Sequence, residues 1–313
     1  MVVVKLVGGL ASQLHKYAVG KALANKLGTE LVLDLEEYDL ENKAGVTPWK
    51  YALGYFEVTS RVATKKELLA AKGSLVYFLS VLSKKLHGIF GVYWVTRIPG
   101  IARRLGFGNI YIADINSEKS DLFFLRIPLK RNIYITGEWG VGFSLFDGCR
   151  DSLIKEFSLS RDMSFYAKNI LDRILECENS TFIHVRRGDF LNSSIHEVCS
   201  KSYYIKAIQY IISHFPDARF FVFSDDFEWV RNVLFEHLPV DSLFVENNAN
   251  YEDFSLMSHC RHCVMSNSGF SAMASWVGQV ENRVAVSPGR WFSDEWANAN
   301  QMAQLPCNWV YID

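Results

Sequence analysis

Apolar residues along this chain fall into short blocks whose periodicity alternates between strand-like and helix-like. Residues 2–7 form a nearly continuous apolar run, broken only by Lys5 and closed by Gly8 and Gly9. A short apolar run that ends in a glycine pair predicts a buried strand and a tight turn. Residues 12–27 carry Leu14, Tyr17, Ala18, Lys21, Ala22 and Ala24, a helix-forming set, with Gly28 where a C-cap belongs. Residues 30–34 read as the next strand. Strand, glycine turn, helix and strand make a βαβ unit, with its first loop at the carboxyl end of a parallel strand.

The second half repeats this rhythm. Strands are predicted at 180–186, 219–224, 243–246, 262–266 and 283–286, and helices at 202–214, 227–236, 251–259 and 270–279. Two further helices, 143–157 and 162–177, lead into them. Strands alternating with helices predict a doubly wound parallel sheet. The expected fold class is therefore α/β, with two Rossmann-like domains facing each other across a cleft. Their expected extents are 1–158 for the first domain and 159–290 for the second. Residues 291–313 would pack back on the first.

Composition narrows the options. The chain has 313 residues, of which 49% are hydrophobic and 21% charged, as a folded globular chain requires. Net charge is −1, which argues against nucleic acid as a partner, because phosphate-backbone binding wants a basic excess. Six cysteines spread over this length are not a disulfide scaffold, and the opening apolar run is too short for a signal-peptide core. A cytoplasmic location is expected.

Residues 73–96 are the longest apolar stretch, but Lys84 and Lys85 split it below spanning length. The wider region 68–113 has no acidic residue. It carries Lys72, Lys84, Lys85, Arg97, Arg103 and Arg104 among Tyr77, Phe78, Phe90, Tyr93, Trp94 and Phe107. Two readings stand level: a helical insertion that touches an anionic membrane surface through 72–107, at the inner face of the cell membrane, or a buried helical pair with solvated basic faces.

Candidate chemistry gathers at predicted strand ends. In TFIHVRRGDF, residues 181–190, an apolar strand delivers His184, Arg186, Arg187 and Asp189 to its carboxyl end. Alternation sends His184 and Arg186 to one face and Arg187 to the other. Adjacent arginines there are costly unless an anion or a carboxylate meets them. One arginine is expected to reach a diphosphate, with the other braced by Asp189 or Asp225; the bland alternative is an internal Arg–Asp pair. In FFVFSDDFEWV, residues 220–230, Ser224 or Asp225 can N-cap a helix, or an Asp can accept hydrogen bonds from a base edge or ribose. In HCVMSNSGFSAMASWVG, residues 262–278, a strand ends in Ser266, Asn267, Ser268 and Gly269, and a helix starts near Phe270 and Ser271. Small residues at a helix N-terminus make an anion nest. Together the three segments describe a nucleotide-diphosphate site. Cys260, His262 and Cys263 with His259 look like half a zinc site, but no second ligand pair follows at the right spacing. No Asp-x-Asp tripeptide, nucleophile elbow or Walker A loop is present.

HVRRGDF resembles the HxRRxD signature of the α-1,2-fucosyltransferases, and more broadly of the α-1,2/α-1,6/protein O-fucosyltransferase superfamily. GGLASQLHKYAVGKALA resembles the opening of the bacterial α-1,2-fucosyltransferases. FVFSDDFEWV, DFSLMSHCRHCVMSNSGFSAMASWVG and the closing SPGRWFSDEWANANQMAQLPCNWVYID are similar to later blocks of that family, in order and spacing. The resemblance runs over essentially the whole chain and is weakest between residues 40 and 130.

It implies a glycosyltransferase B-type fold, a GDP-fucose donor, inversion at the transferred sugar, and no metal or other cofactor. Residue by residue, it implies that Arg186 holds the β-phosphate and that His184 and Arg187 shape the donor pocket. Asp225 or Asp226 would contact the nucleoside, and Ser268, Phe270 and Ser271 would line the phosphate and guanine pocket beside Asn267 and Gly269. The first loop, with Gly9, Ser12, Gln13 and His15, would face donor and acceptor. The acceptor would be an oligosaccharide or lipid-linked glycan of a bacterial surface polysaccharide. Asp189 is the candidate general base, with Glu197, His196 and His15 as rivals; the alternative is an oxocarbenium-like transition state that uses no dedicated base. The chain departs from the family in two places. Ala11-Ser12-Gln13 stands for Gly-Asn-Gln, which bears on acceptor choice, and Ala272-Met273 replaces a Trp-Trp pair.

Overall fold

The computed structural model describes residues 1–38, 49–72, 110–114, 132–136, 142–196, 199–239, 241–278 and 282–313. The chain builds two all-parallel sheets and divides into two compact units. The first unit comprises Met1–Gly9, His15–Tyr51 and Thr59–Val141, and the second Leu10–Leu14, Ala52–Val58 and Gly142–Asp313.

The first sheet has strands β1 (Val2–Lys5), β2 (Leu31–Asp34), β3 (Arg61–Val62), β4 (Ile110–Asp114) and β5 (Asn132–Thr136), in the order β3-β2-β1-β5-β4. β1 pairs in parallel with β2 on one side and β5 on the other. Val2, Val3 and Val4 are fully buried, so the strand reads as a continuous apolar run without alternation. Helix α1 (Leu10–Leu27) closes at Gly28, whose φ of 59° is left-handed. There the Gly28 N–H donates to Asn25 and the Thr29 N–H to Ala24, closing the last turn as a glycine cap does. Helix α2 (Lys65–Lys72) follows β3.

The second sheet has β6 (Ser180–Val185), β7 (Arg219–Ser224), β8 (Leu243–Phe244), β9 (His262–Val264), β10 (Ala285–Pro288) and β11 (Val310–Ile312). Its spatial order is β11-β10-β9-β6-β7-β8. Counted from β6, this is the 3-2-1-4-5-6 order of a doubly wound nucleotide-binding sheet, and its switch point lies between β6 and β9. All six residues of β6 are buried. Around the sheet lie α3 (Arg150–Glu156), α4 (Phe165–Leu175), α5 (Lys201–His214), α6 (Asn250–His259), α7 (Gly269–Val277) and α8 (Glu295–Met302). Ser164, Ser200 and Asp294 cap α4, α5 and α8 by accepting N–H bonds from the first turn. Tyr204, Ile208, Phe220, Val222, Val264 and Val286 belong to one core cluster that joins α5 to the sheet.

Several boundaries differ from the sequence reading. The 227–236 helix is a single α turn, Phe227–Trp229, that widens into a π turn at Val230–Leu234 and tightens into a 3-10 turn at Phe235–His237. The 143–157 helix is two 3-10 turns followed by α3. Strand β10 starts at Ala285 rather than 283, because the Val284 N–H is taken by His262 Nδ1 at 3.1 Å. Residues 291–313, read as packing back on the first domain, supply α8 and the edge strand β11, which pairs with β10. The basic aromatic stretch 73–107 lies outside the described residues. Among the described residues no helix is long and apolar enough to cross a membrane.

Candidate functional site

β6 carries its chemistry to the sheet's carboxyl edge and is flanked there by β7 and β9. On the β7 side lies a charged cluster. Arg186 forms ion pairs with Asp189 Oδ1 at 2.8 Å and with Asp225 Oδ2 at 3.0 Å. The other Asp225 oxygen, Oδ1, accepts the Arg187 backbone N–H at 2.8 Å. The guanidinium of Arg187 meets Asp226 Oδ2 at 3.0 Å and lies 4.2 Å from the Trp229 ring centroid. Asp226 also caps the turn at Trp229 through Oδ1. Gly188 is required between these groups, since a Cβ there would come within 2.9 Å of Asp225 Oδ2. Both arginines are therefore paired, where the sequence reading had one reaching out and one braced. Three carboxylates face two guanidiniums.

Phe190 supports this cluster from behind. The Arg186 guanidinium lies 5.7 Å from its ring, and His196 stacks on it at 4.3 Å with 16° between planes. His196 is bonded through Nδ1 to Ser193 and bridges Phe292 backbone to backbone. Burial and then the Arg186 charge hold its pKa below the usual value, against the pull of Asp189. Its rival Glu197 lies outside the described residues.

The β9 side is neutral. His184 is buried, and its Nδ1 lies 2.9 Å from Ser266 Oγ. Burial, reinforced by the Arg186 charge and opposed by Asp225, lowers its pKa to about 3, so the imidazole stays uncharged. Ser271 Oγ donates to the Ser266 carbonyl at 3.3 Å and to the Ser268 carbonyl at 3.2 Å. Asn267 donates to the Trp291 carbonyl at 2.9 Å and accepts from the Cys199 thiol. Ser268 caps α7 by accepting the Phe270 N–H, and Gly269, Phe270 and Ser271 form the first turn. The Phe270 ring lies 5.6 Å from that of His184. A neutral, pre-bonded turn at a helix N-terminus is a ready anion cradle.

Residues 110–313 match the sequence profile described as Glycosyl transferase family 11. The chain belongs to that family. It is an enzyme, a glycosyltransferase, as the motif resemblance implied. Among curated relatives, an α-1,2-colitosyltransferase of Escherichia coli is 27% identical over 100% of this chain and 99% of its own. The O-antigen biosynthesis glycosyltransferase WbnK of Escherichia coli is 29% identical over 94% and 98%. Mouse galactoside α-(1,2)-fucosyltransferase 2 is 25% identical over 69% and 63%. Among solved structures, NodZ α-1,6-fucosyltransferase co-crystallised with GDP superposes with a TM-score of 0.51 at 11% identity, over 91% of this chain and 94% of that one. The likeness is one of fold.

In this family 11 glycosyltransferase, the second unit brings together His184, Arg186, Arg187, Asp189, Asp225, Asp226, Asn267, Ser268, Gly269, Phe270 and Ser271. Of the first-loop residues, Ser12 and Gln13 belong to the second unit, and Gly9 and His15 to the first. Gly9 precedes α1, Ser12 and buried Gln13 sit in its first turn with Gln13 accepting the Ala52 N–H at 2.8 Å, and His15 is buried further along.

Sequence reasoning missed the roles of Phe190, Trp229 and Trp291, which only packing reveals. It also missed Asp253 in the first turn of α6. Burial raises the pKa of Asp253 to about 6, with the Glu252 charge adding, against a hydrogen bond from the Asn248 amide at 3.1 Å. Its neighbour Phe254 packs edge-on to Phe270. The Cys260 and Cys263 pair has a structural explanation: both thiols are buried, and Cys263 contacts Ser275 Oγ at 3.1 Å. Among the described residues no three potential ligands gather as a metal site. A cavity of about 590 Å³ against α4 and α6, lined by Leu171, Leu175 and His259, contains none of the site residues.

Proposed function

We propose that this family 11 enzyme is an inverting glycosyltransferase of the B-type fold. It moves L-fucose from GDP-β-L-fucose to a galactoside hydroxyl, forming an α-1,2 linkage in a bacterial O-antigen-type glycan. One observation carries the reading: β6, which ends at the arginine pair, and β9, which leads into the N-terminus of α7, flank the switch point where a doubly wound sheet binds nucleotides.

Negative charge grows on the β-phosphate as GDP leaves. Arg186 and the first-turn N–H groups of α7 stabilise that charge more in the transition state than in the ground state. His184, kept neutral, shapes the donor pocket without adding charge. The acceptor hydroxyl loses its proton to Asp189, with His196, His15 and Glu197 as rivals, and the first loop contributes to acceptor choice. No metal is needed, because guanidinium and helix N–H groups supply the positive field.

The nucleoside contact expected of Asp225 or Asp226 is better assigned to Asp253. Asp225 and Asp226 already hold arginines, whereas a carboxylate matches the two adjacent N–H donors of guanine's Watson–Crick edge. GDP affinity is then full above a pH of about 6 and falls as Asp253 takes up a proton below it. Calorimetric titration at pH 5 and pH 7 measures this, and equal affinity at both values refutes the assignment. Peripheral contact with anionic membrane through 72–107 belongs to the same reading; absence of flotation with acidic liposomes removes it.

A second donor is favoured by the full-length similarity to an α-1,2-colitosyltransferase. Colitose is L-fucose without its 3-hydroxyl, so donor choice turns on one group. A site that hydrogen-bonds this hydroxyl rejects the analogue by roughly 10⁴ or more, whereas an apolar one discriminates weakly. The deciding experiment supplies a β-galactoside acceptor with GDP-fucose or GDP-colitose and follows GDP release and product mass. Turnover with GDP-fucose supports the proposal. Turnover with GDP-colitose alone reassigns the donor, and binding without turnover moves the acceptor away from β-galactosides.

A further inference from the structure

The charged cluster contains more carboxylate than guanidinium, which is unexpected where a diphosphate must bind. The two aspartates on Arg186 are not equivalent. Asp225 is pinned, because its other oxygen accepts the Arg187 backbone N–H and its side chain is 26% exposed. Asp189 is 54% exposed, and Arg186 is its one ion-pair partner among the described residues. Phe190, stacked between Arg186 and His196, supports the guanidinium independently of either carboxylate.

We propose that Asp189 is an exchangeable counter-ion. It occupies Arg186 in the empty enzyme, yields to the nucleotide's diphosphate, and returns to help expel GDP after transfer. The inference rests on the function proposed above, and it concerns product release rather than the chemical step. A part-exposed ion pair is weak enough to exchange, while the fixed pair with Asp225 and the ring of Phe190 keep the guanidinium aimed. Competition between a carboxylate and a phosphate for one fork follows from the geometry that suits guanidinium to both.

The test is GDP binding to the full chain as wild type, Asp189→Asn and Asp189→Glu, with affinity by calorimetry and dissociation rate by stopped flow. Binding equilibrium is insensitive to loss of a general base, so a catalytic role for Asp189 does not mimic the expected result. Asp189→Asn, which keeps shape and loses charge, should bind GDP about fivefold more tightly through slower dissociation, and Asp189→Glu should return toward wild type. Unchanged or weaker GDP binding by Asp189→Asn overturns the counter-ion role. If the wild type itself binds no GDP, the nucleotide reading fails first and takes this inference with it.

Discussion

The two sides of β6 reach the same edge of the sheet with opposite chemistry. Toward β7 the groups are ionic and partly exposed: Arg186 and Arg187 against Asp189, Asp225 and Asp226. Toward β9 they are neutral and buried: His184, Ser266, Asn267 and Ser271. Part-exposed ion pairs are screened by water and re-form at small cost, whereas a buried hydrogen bond is expensive to leave unmade. The ionic side can therefore rearrange around a ligand, and the neutral side holds the frame against which it rearranges.

Four variants or conditions probe this division. The largest effect is expected on the ionic side. Arg186→Lys keeps one charge but loses the two-pronged fork, and kcat should fall roughly 10²–10³-fold while the protein stays folded. Wild-type turnover with an unchanged melting curve would move the chemistry away from Arg186. On the neutral side, Ser266→Ala leaves a buried imidazole nitrogen without its partner and should cost about 1–3 kcal/mol in denaturant unfolding. A loss confined to activity would mean that Ser266 touches the ligand instead.

Acid tests the same side by another route. The folded enzyme holds His184 neutral down to about pH 3, whereas the unfolded chain protonates it below its ordinary value of 6.5. The stability contribution is thus whole above pH 6.5 and drains away between pH 6.5 and 3, by up to about 1.4 kcal/mol per pH unit. Denaturation midpoints at pH 7, 6, 5 and 4 should fall less steeply in His184→Gln; parallel curves would assign the acid sensitivity to another group. The smallest effect is expected from Trp229→Leu, which removes the ring under Arg187 and should cost about 0.5–1 kcal/mol. A large loss there would place Arg187, not Arg186, at the centre of the ionic side.

The sequence was most legible where local rules govern. β7 begins and ends at its expected residues, β6 falls one residue short of its expected end, and Gly28 closes α1 as a glycine C-cap. Strand-end clusters at 184–189, 225–226 and 266–271 were visible because an apolar run that stops at charge or at small polar residues is itself the signal. Partner choice was not visible. Nothing in HVRRGDF distinguishes Arg186 held by two aspartates from Arg186 standing free, since the second aspartate arrives from β7, in a segment nearly forty residues away. The 227–236 stretch has the composition of one helix and Asp226 caps its start, yet the ladder changes pitch after Trp229. Strand β11 escaped notice because three half-buried residues beside Trp309 carry too short a pattern to read.

Arg150 lies far along the sequence from the strand-end clusters and yet is tied to the helix that follows one of them. Its guanidinium donates to the Trp276 carbonyl at 2.8 and 3.1 Å and to the Gly278 carbonyl at 2.9 Å, gripping the C-terminal end of α7. α7 is about 13 Å long and is held at both ends, by Arg150 at its C-terminus and by Ser268 and Ser271 at its first turn. Loosening the Arg150 clamp leaves the first-turn bonds to hold the helix in line by themselves. A screen for inactive variants that recovers Arg150 is then reporting the alignment of a helix, and ligand-contact maps drawn from such a screen would enlarge the pocket by one false wall.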